Sequence, residues 1–370
     1  MTAAPTKWAE VSLGAITENV RTLCVQVRPA AVMAVVKANG YGHGAVPAAR
    51  AALRGGAQRL GVSSVAEALE LRAGGIDAPI LNLGYTPPEA AAVAADANIA
   101  LTLFDPAALP VLLATGRSMA IHVKVDTGMN RLGTGVEEAV RLARRVQESP
   151  LRLEGFWTHF ADADGRDLAF TRDQLDRFQQ ACQALLAHRV HGFQRHAANS
   201  AGALRVPEAR LDLVRIGIAI YGVNPAPGLV EASQLRPALR WYTVVTRVSR
   251  LQPGETVGYG RTFRADHETL VATLAAGYAD GLQRRLSNRG KAIIGGHLVP
   301  LIGTISMDQS AADVTGVPGV KPGDRVCLLG SEGDARWEAE DMARSADTIP
   351  YEVLCAISAR VPRRYNEAVP

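Results

Sequence analysis

Between residues 31 and 216 the chain repeats one pattern eight times: a short apolar run rich in β-branched residues, then a segment of helical period. The runs fall at 31–36, 59–63, 79–83, 99–103, 119–125, 152–158, 194–198 and 211–216. Stretches such as Ser64 to Ala73, Val136 to Val146 and Leu168 to Leu186 separate them, and in the last of these Leu175, Phe178, Cys182 and Leu185 recur on one helical face. Runs that are apolar without alternation suit strands covered on both faces. Strand–helix alternation repeated this often implies a parallel sheet. Eight such units in about 200 residues predict a closed (β/α)8 TIM-type barrel rather than an open doubly wound sheet. No G-x-G-x-x-G follows the first strand, which weighs against a dinucleotide fold.

The texture changes near Leu235-Arg236-Pro237. Trp241 to Arg250 and Leu270 to Ala276 are extended runs, and Ala292 to Met307 reads as a hairpin turning at Gly295-Gly296. Two short helices are expected at about 338–345 and 350–358. The expectation is an α/β protein of two domains: a barrel over 1–235 and a mainly β domain over 236–370. Residues 1–11, with the short strand Trp8 to Val11, are able to pair with the second domain. Ser12 is placed to cap the helix that follows.

Composition narrows the function classes. With 48% hydrophobic and 21% charged residues and a net charge of +4, the chain reads as globular. Its arginines are interspersed with acids, so no basic stripe suggests nucleic acid. No window approaches the roughly 20 apolar residues of a membrane span, and the first ten residues lack a signal-peptide pattern. Cys24, Cys182, Cys327 and Cys355 are widely spaced, as expected of free thiols in a cytoplasmic protein without a zinc site.

In a barrel, the loops after the strands build the active site. Lys37 ends the first run and leads into a glycine-rich loop read as flexible, Ala38 to Gly44. A lysine in that position is desolvated, which lowers its pKa and makes it a nucleophile or Schiff-base former. Arg131 follows the fifth strand, His159 the sixth, Asn199 and Ser200 the seventh, and Arg215 ends the eighth. Singly, each has an ordinary structural explanation; together they share one rim. Ser200 and the Gly217-Ile218 amides stand after the last two strands, where barrels commonly bind phosphate. A lysine and a phosphate site leave two readings: a cofactor-free Schiff-base aldolase, or pyridoxal phosphate attached to the lysine. Arg215 bears on the second, since an arginine facing the pyridine nitrogen would leave that nitrogen unprotonated.

With these residues in view, the chain resembles the alanine racemase family essentially end to end. The similarity runs through Ala34–Gly44, Lys124–Gly133, Thr158-His159-Phe160, Ala198-Asn199-Ser200 and Arg215–Ile218. It continues through Val257–Thr262, Gly277–Gly281, Ser306–Gln309 and Ile349–Glu352. The resemblance implies pyridoxal phosphate as cofactor, L- and D-alanine as substrates, and a head-to-tail homodimer with shared active sites. Its role would be supply of D-alanine to cell-wall (peptidoglycan) synthesis, or alanine catabolism.

On that resemblance Lys37 would hold the cofactor and act as the base on one face. Tyr259, from the partner subunit, would act on the other. Arg131 would bind the cofactor's phenolic oxygen and the substrate carboxylate. Arg215 would face the ring nitrogen, with His159 linking it to Tyr259. Tyr41, Ser200, Gly217, Ile218 and Tyr351 would hold the phosphate, with Asn199 in support. Met307 and Asp308 would reach the substrate from the partner. Lys124 matches a lysine often carbamylated in the family, and Asp164, Tyr278 and Arg284 match its access channel. Racemisation needs a base on each face. Lysine and tyrosine both need help to act as bases near neutrality; burial would help Lys37, and a cationic Arg215–His159 pair would help Tyr259.

Ser306 and Thr304 depart from the cysteine and arginine common at these places, so channel polarity and substrate range are the least determined features. The alternatives are a broad-specificity amino-acid racemase on the same scaffold, a pyridoxal-phosphate amino-acid decarboxylase, and a non-catalytic cofactor-binding barrel. Arg215 argues against the decarboxylase, and the large C-terminal domain against the non-catalytic barrel.

Overall fold

In the computed structural model, which describes residues 5–226, 228–229 and 234–369, the apolar runs become short parallel strands. After β1 (Lys7–Ser12) come β2 (Ala31–Val35), β3 (Arg59–Val62), β4 (Ile80–Asn82), β5 (Ile99–Leu103), β6 (Ala120–Lys124), β7 (Arg152–Trp157), β8 (Gln194–His196) and β9 (Leu213–Ile216). Strands β2 to β9 form one sheet in the order β8-β7-β6-β5-β4-β3-β2-β9. The Asp212 N–H donates to Arg195 O at 3.2 Å and the Arg215 N–H to Ala198 O at 3.0 Å. These bonds tie β9 back to β8 and close the barrel.

Each strand lies within two residues of its expected position. The long helix Ala169–Ala187 buries Leu175, Phe178, Cys182 and Leu185. Phe178 stacks on Phe156 of β7, with ring centroids 5.6 Å apart. Truncating such an aromatic anchor costs about 3–5 kcal/mol.

The C-terminal strands are β10 (Leu239–Leu251), β11 (Thr256–Val257), β12 (Phe263–Arg264), β13 (Thr269–Leu274), β14 (Lys291–Ile294), β15 (His297–Ile302), β16 (Ser310–Asp313), β17 (Arg325–Glu332), β18 (Ala335–Trp337) and β19 (Arg363–Asn366). The antiparallel pairings β10–β13–β16–β15–β14–β17–β10 make a closed circuit. Gly295 and Gly296, at φ +57° and +78°, turn the β14–β15 hairpin as a type I′ turn requires. The two expected helices are Ala339–Ala346 and Pro350–Ala356.

The chain forms two compact units: Ile16–Gly40 with Ala45–Arg236, and Met1–Ala15 with Tyr41–Gly44 and Pro237–Pro370. Strand β1 belongs to the second, pairing antiparallel with β10 and parallel with β19; residues 1–4 of that segment lie outside the described ones. Ser12 caps the next helix, its Oγ accepting the Ala15 N–H at 2.9 Å. Gly42 and Gly44 are sites of close approach. A Cβ on Gly42 would stand 2.4 Å from Leu354 O, and one on Gly44 2.1 Å from Tyr365 Oη. Among the described residues no helix is long and apolar enough to cross a membrane.

Candidate active site

Strand β2 delivers Lys37, half-buried, into a left-handed turn. Ala38, Asn39 and Gly40 have φ of 52°, 52° and 61°, and Tyr41 continues at 53°. For a residue with a Cβ this region costs about 1–2 kcal/mol, so the turn needs restraint. Glu67 supplies it: one carboxylate oxygen accepts the Ala38 N–H at 2.8 Å and the other the Ser63 N–H at 2.7 Å. Asn39 Oδ1 accepts the Ala45 N–H at 2.9 Å. The sequence gives Glu67 no distinguishing mark beyond a helix first turn, and it was not among the expected site residues.

Arg215 on β9 is buried. Its Nη2 donates to Thr158 O at 2.8 Å, to Ala197 O at 2.9 Å and to His159 Nδ1 at 2.9 Å. Its Nη1 donates to His196 Nδ1 at 2.9 Å, and the guanidinium lies 4.5 Å from the Trp157 ring centroid. Burial pulls its pKa down to about 9, still above neutrality, so it remains a cation.

His159 corrects an expectation. Burial, and then the charges of Arg215, Lys124, Arg131 and Lys37, hold its pKa well below the usual imidazole value. It is neutral rather than half of a cationic pair. Because Arg215 can only donate, His159 Nδ1 must accept and Nε2 carries the proton. Lys124, at the end of β6 and 4.5 Å from the Trp157 ring, is pushed down to about 8 by burial and by Arg215, Arg131 and Lys37. Five basic side chains thus act on one another at this end of the barrel. Arg131 itself is exposed, on a loop pinned by the Asp126 N–H to Thr134 O bond of 2.8 Å.

Ser200 and Gly217 also meet, the Gly217 N–H donating to Ser200 Oγ at 3.0 Å. Asn199 caps the helix Ser200–Arg205 by accepting the Gly202 N–H at 2.9 Å, and Ile218 is buried beside Gly217. Asp164 is exposed between β7 and the next helix.

The other unit holds the remaining candidates in two groups. Tyr41 and Tyr351 face one another with ring centroids 6.1 Å apart. Tyr259, Tyr278, Arg284, Thr304, Ser306, Met307 and Asp308 line one open cleft of about 530 Å³. Tyr259 is 75% exposed. The cleft floor is backbone-built: the Tyr278 N–H donates to Ser306 O and the Ala279 N–H to Met307 O, each at 3.0 Å. Arg360 holds Asp308 at 2.7 Å and lies 3.5 Å from the buried Asp280, which Lys7 also holds at 2.8 Å. Sequence reading missed both Arg360 and Asp280 as supports of this cleft.

Known proteins share this fold. The chain matches the family models for the alanine racemase N-terminal domain over residues 11–225 and C-terminal domain over 238–365. It is 45% identical to the alanine racemase of Symbiobacterium thermophilum over 97% of both chains. It is 43% identical to that of Desulfosudis oleivorans, over 97% of this chain and 96% of the relative. The crystal structure of alanine racemase from D-cycloserine producing Streptomyces lavendulae superposes with a TM-score of 0.94 at 38% identity, covering 100% of this chain and 99% of that one. The Bacillus anthracis enzyme with bound L-Ala-P gives 0.92 at 36%, covering 100% and 97%. The barrel, the β-domain and these relatives together define an isomerase of the racemase class. Within that class, the chain belongs to the alanine racemase family.

Proposed function

We propose that this protein interconverts L- and D-alanine with pyridoxal phosphate, as a cytoplasmic homodimer in which each active site takes Tyr259 from the partner subunit. The observation that carries this reading is the convergence of Lys37, Lys124, Arg131, His159 and Arg215 at the ends of β2, β6, β7 and β9. The donor set fits the cofactor. Lys37 offers an amine to its aldehyde, and Arg215 offers only donors to a ring nitrogen that only accepts. Ser200 and Ile218 offer a hydroxyl and an amide to its phosphate, with Asn199 fixing the helix on which Ser200 sits; by the family resemblance Gly217, Tyr41 and Tyr351 would join them. When bound, pyridoxal phosphate supplies the electron sink that acidifies the substrate α-proton.

Lys37 Nζ takes or returns that proton on one face, and the partner's Tyr259 Oη does so on the other. Neutral His159, with its proton on Nε2, is set to donate to the tyrosine oxygen and so favour its ionised form. Arg131 holds the substrate carboxylate, joined by the Met307 amide and Asp308 of the partner subunit. Arg215 keeps its proton, which limits charge spread into the ring and confines proton return to the α-carbon. Lys124, at about 8, carries enough free amine to add carbon dioxide. The N–C bond forms, one proton leaves, and a carbamate anion then braces Arg131. Asp164, Tyr278 and Arg284 line substrate access. The D-alanine would serve cell-wall precursors, or the reverse reaction alanine catabolism.

The test is incubation of the purified protein with pyridoxal phosphate and L-alanine in D₂O. D-alanine deuterated at the α-carbon, and a reduced cofactor fixed to Lys37 by borohydride, are expected; absence of both overturns the reading. Thr304 and Ser306 in the cleft wall favour one second reading, a broader amino-acid racemase. Turnover of serine, lysine or arginine at rates comparable with alanine would decide for it.

A further inference from the structure

Arg215 is a buried cation, and among the described residues no carboxylate lies within ion-pair distance of it. A buried charge left so is costly. Its hydrogen bonds lead toward one. Arg215 Nη1 meets His196 Nδ1 at 2.9 Å. His196 Nε2 meets His122 Nδ1 at 2.9 Å. His122 Nε2 faces the Glu154 carboxylate at 3.6 Å, longer than a formed hydrogen bond, so that last link is electrostatic. Glu154 is also paired with Arg59 and Arg152.

The direction of the chain is fixed from both ends. Arginine can only donate, so His196 Nδ1 accepts and its proton sits on Nε2. That proton makes His122 Nδ1 an acceptor in turn, leaving the His122 proton on Nε2, aimed at an anion that can only accept. Both imidazoles are fully buried, and burial is the first cause holding each below its usual pKa; neutral rings are what the chain requires. His122, facing Glu154, is the largest influence on that carboxyl; opposed by burial and joined by Arg59, it holds the Glu154 pKa down at about 2.

The backbone is shaped for this relay. Ile121 pairs with Leu153 but His122 with Gly155, so Glu154 is the extra residue of a β-bulge, a device that re-aims a side chain. At Gly155 a Cβ would stand 2.0 Å from His122 Nδ1, so glycine clears the ring. Trp157 stacks on His196, with centroids 5.5 Å apart and planes at 8°.

We propose that Glu154 is a positioning residue that orients Arg215 by fixing the tautomers of His122 and His196, and so sets the guanidinium that the cofactor's ring nitrogen meets. The catalytic part rests on the cofactor reading above; the relay itself does not. On full-length protein selectively labelled with ¹⁵N-histidine, both rings should show an acceptor Nδ1 and a protonated Nε2. A proton on either Nδ1, or a doubly protonated ring, overturns the relay whether or not any variant folds. Glu154→Gln keeps shape and an acceptor oxygen but removes the charge. It should lower kcat about tenfold, the scale of coupling between members of one polar network, with KM changed less than about twofold. It should also shift the cofactor's visible absorption, and Glu154→Asp should restore part of each. Unchanged kcat and spectrum in Glu154→Gln overturn the proposal. If the wild-type protein forms no D-alanine, the cofactor reading fails, and the tautomers still judge the relay.

Discussion

The basic rim of the barrel and the open cleft of the C-terminal unit both gather candidate catalytic groups, but they prepare them differently. On the rim, burial and neighbouring cations set the protonation states: Lys124 is pushed to about 8 and His159 is kept neutral. In the cleft, Tyr259 and Met307 are 75% and 53% exposed, and backbone hydrogen bonds fix position. Electrostatic tuning needs a low-dielectric surround. The rim carries its own, whereas the cleft groups acquire one only from whatever comes to cover them, a second copy in the proposed dimer.

The sharpest break of this contrast is Lys37→Ala. Loss of the proposed rim base and cofactor anchor should lower racemisation about 10⁴-fold, read by chiral chromatography, with no borohydride-fixed label. Next is Tyr259→Phe, expected to cost about 10²- to 10³-fold. The loss should fall selectively on α-proton exchange from L-alanine in D₂O. Equal loss from both enantiomers would contradict one base per face.

Lys124 tests rim tuning through stability. Its folded pKa, about 8, lies below the ordinary 10.5. Below pH 8 both folded and unfolded states hold the proton, and the cost of burying the cation, about 3 kcal/mol, is fully present. Between pH 8 and 10.5 only the unfolded state keeps it, so stability rises with pH. Lys124→Met should therefore be the more stable protein at pH 7 in carbonate-free denaturant titrations, the gap closing toward pH 10.5. A gap that does not change with pH would remove the buried ammonium from the account. The smallest effects separate a packed barrel from an open cleft: Gly155→Ala should cost about 1–3 kcal/mol, Thr304→Arg within about 0.5. A thermal melt of each, side by side, checks the order.

The barrel strands were legible because strands covered on both faces must be apolar throughout, and runs such as 99–103 have no other use. The rim residues were legible because strand ends in a barrel share one face. The left-handed turn after Lys37 was not, since Ala38 and Tyr41 give no local reason for positive φ; the reason is tertiary, in the Glu67 carboxylate. His159 was misjudged as cationic because its protonation depends on charges distant in sequence. His122, His196 and Glu154 passed for ordinary strand residues because a β-bulge leaves no reliable mark in a single sequence.

The closed circuit of β10, β13, β16, β15, β14 and β17 has a consequence for self-association. The sheet's terminal strands, β18 and β19, are only three and four residues long, and β19 carries Arg363 and Arg364. Short, charged edges are poor templates for strand addition. A sheet of nine strands would ordinarily invite edge-to-edge pairing and fibrous growth; this one offers little on which to start. Copies of the chain in the proposed dimer would then recognise one another through side chains and loops, surfaces that evolution can revise residue by residue without putting the sheet at risk of aggregation.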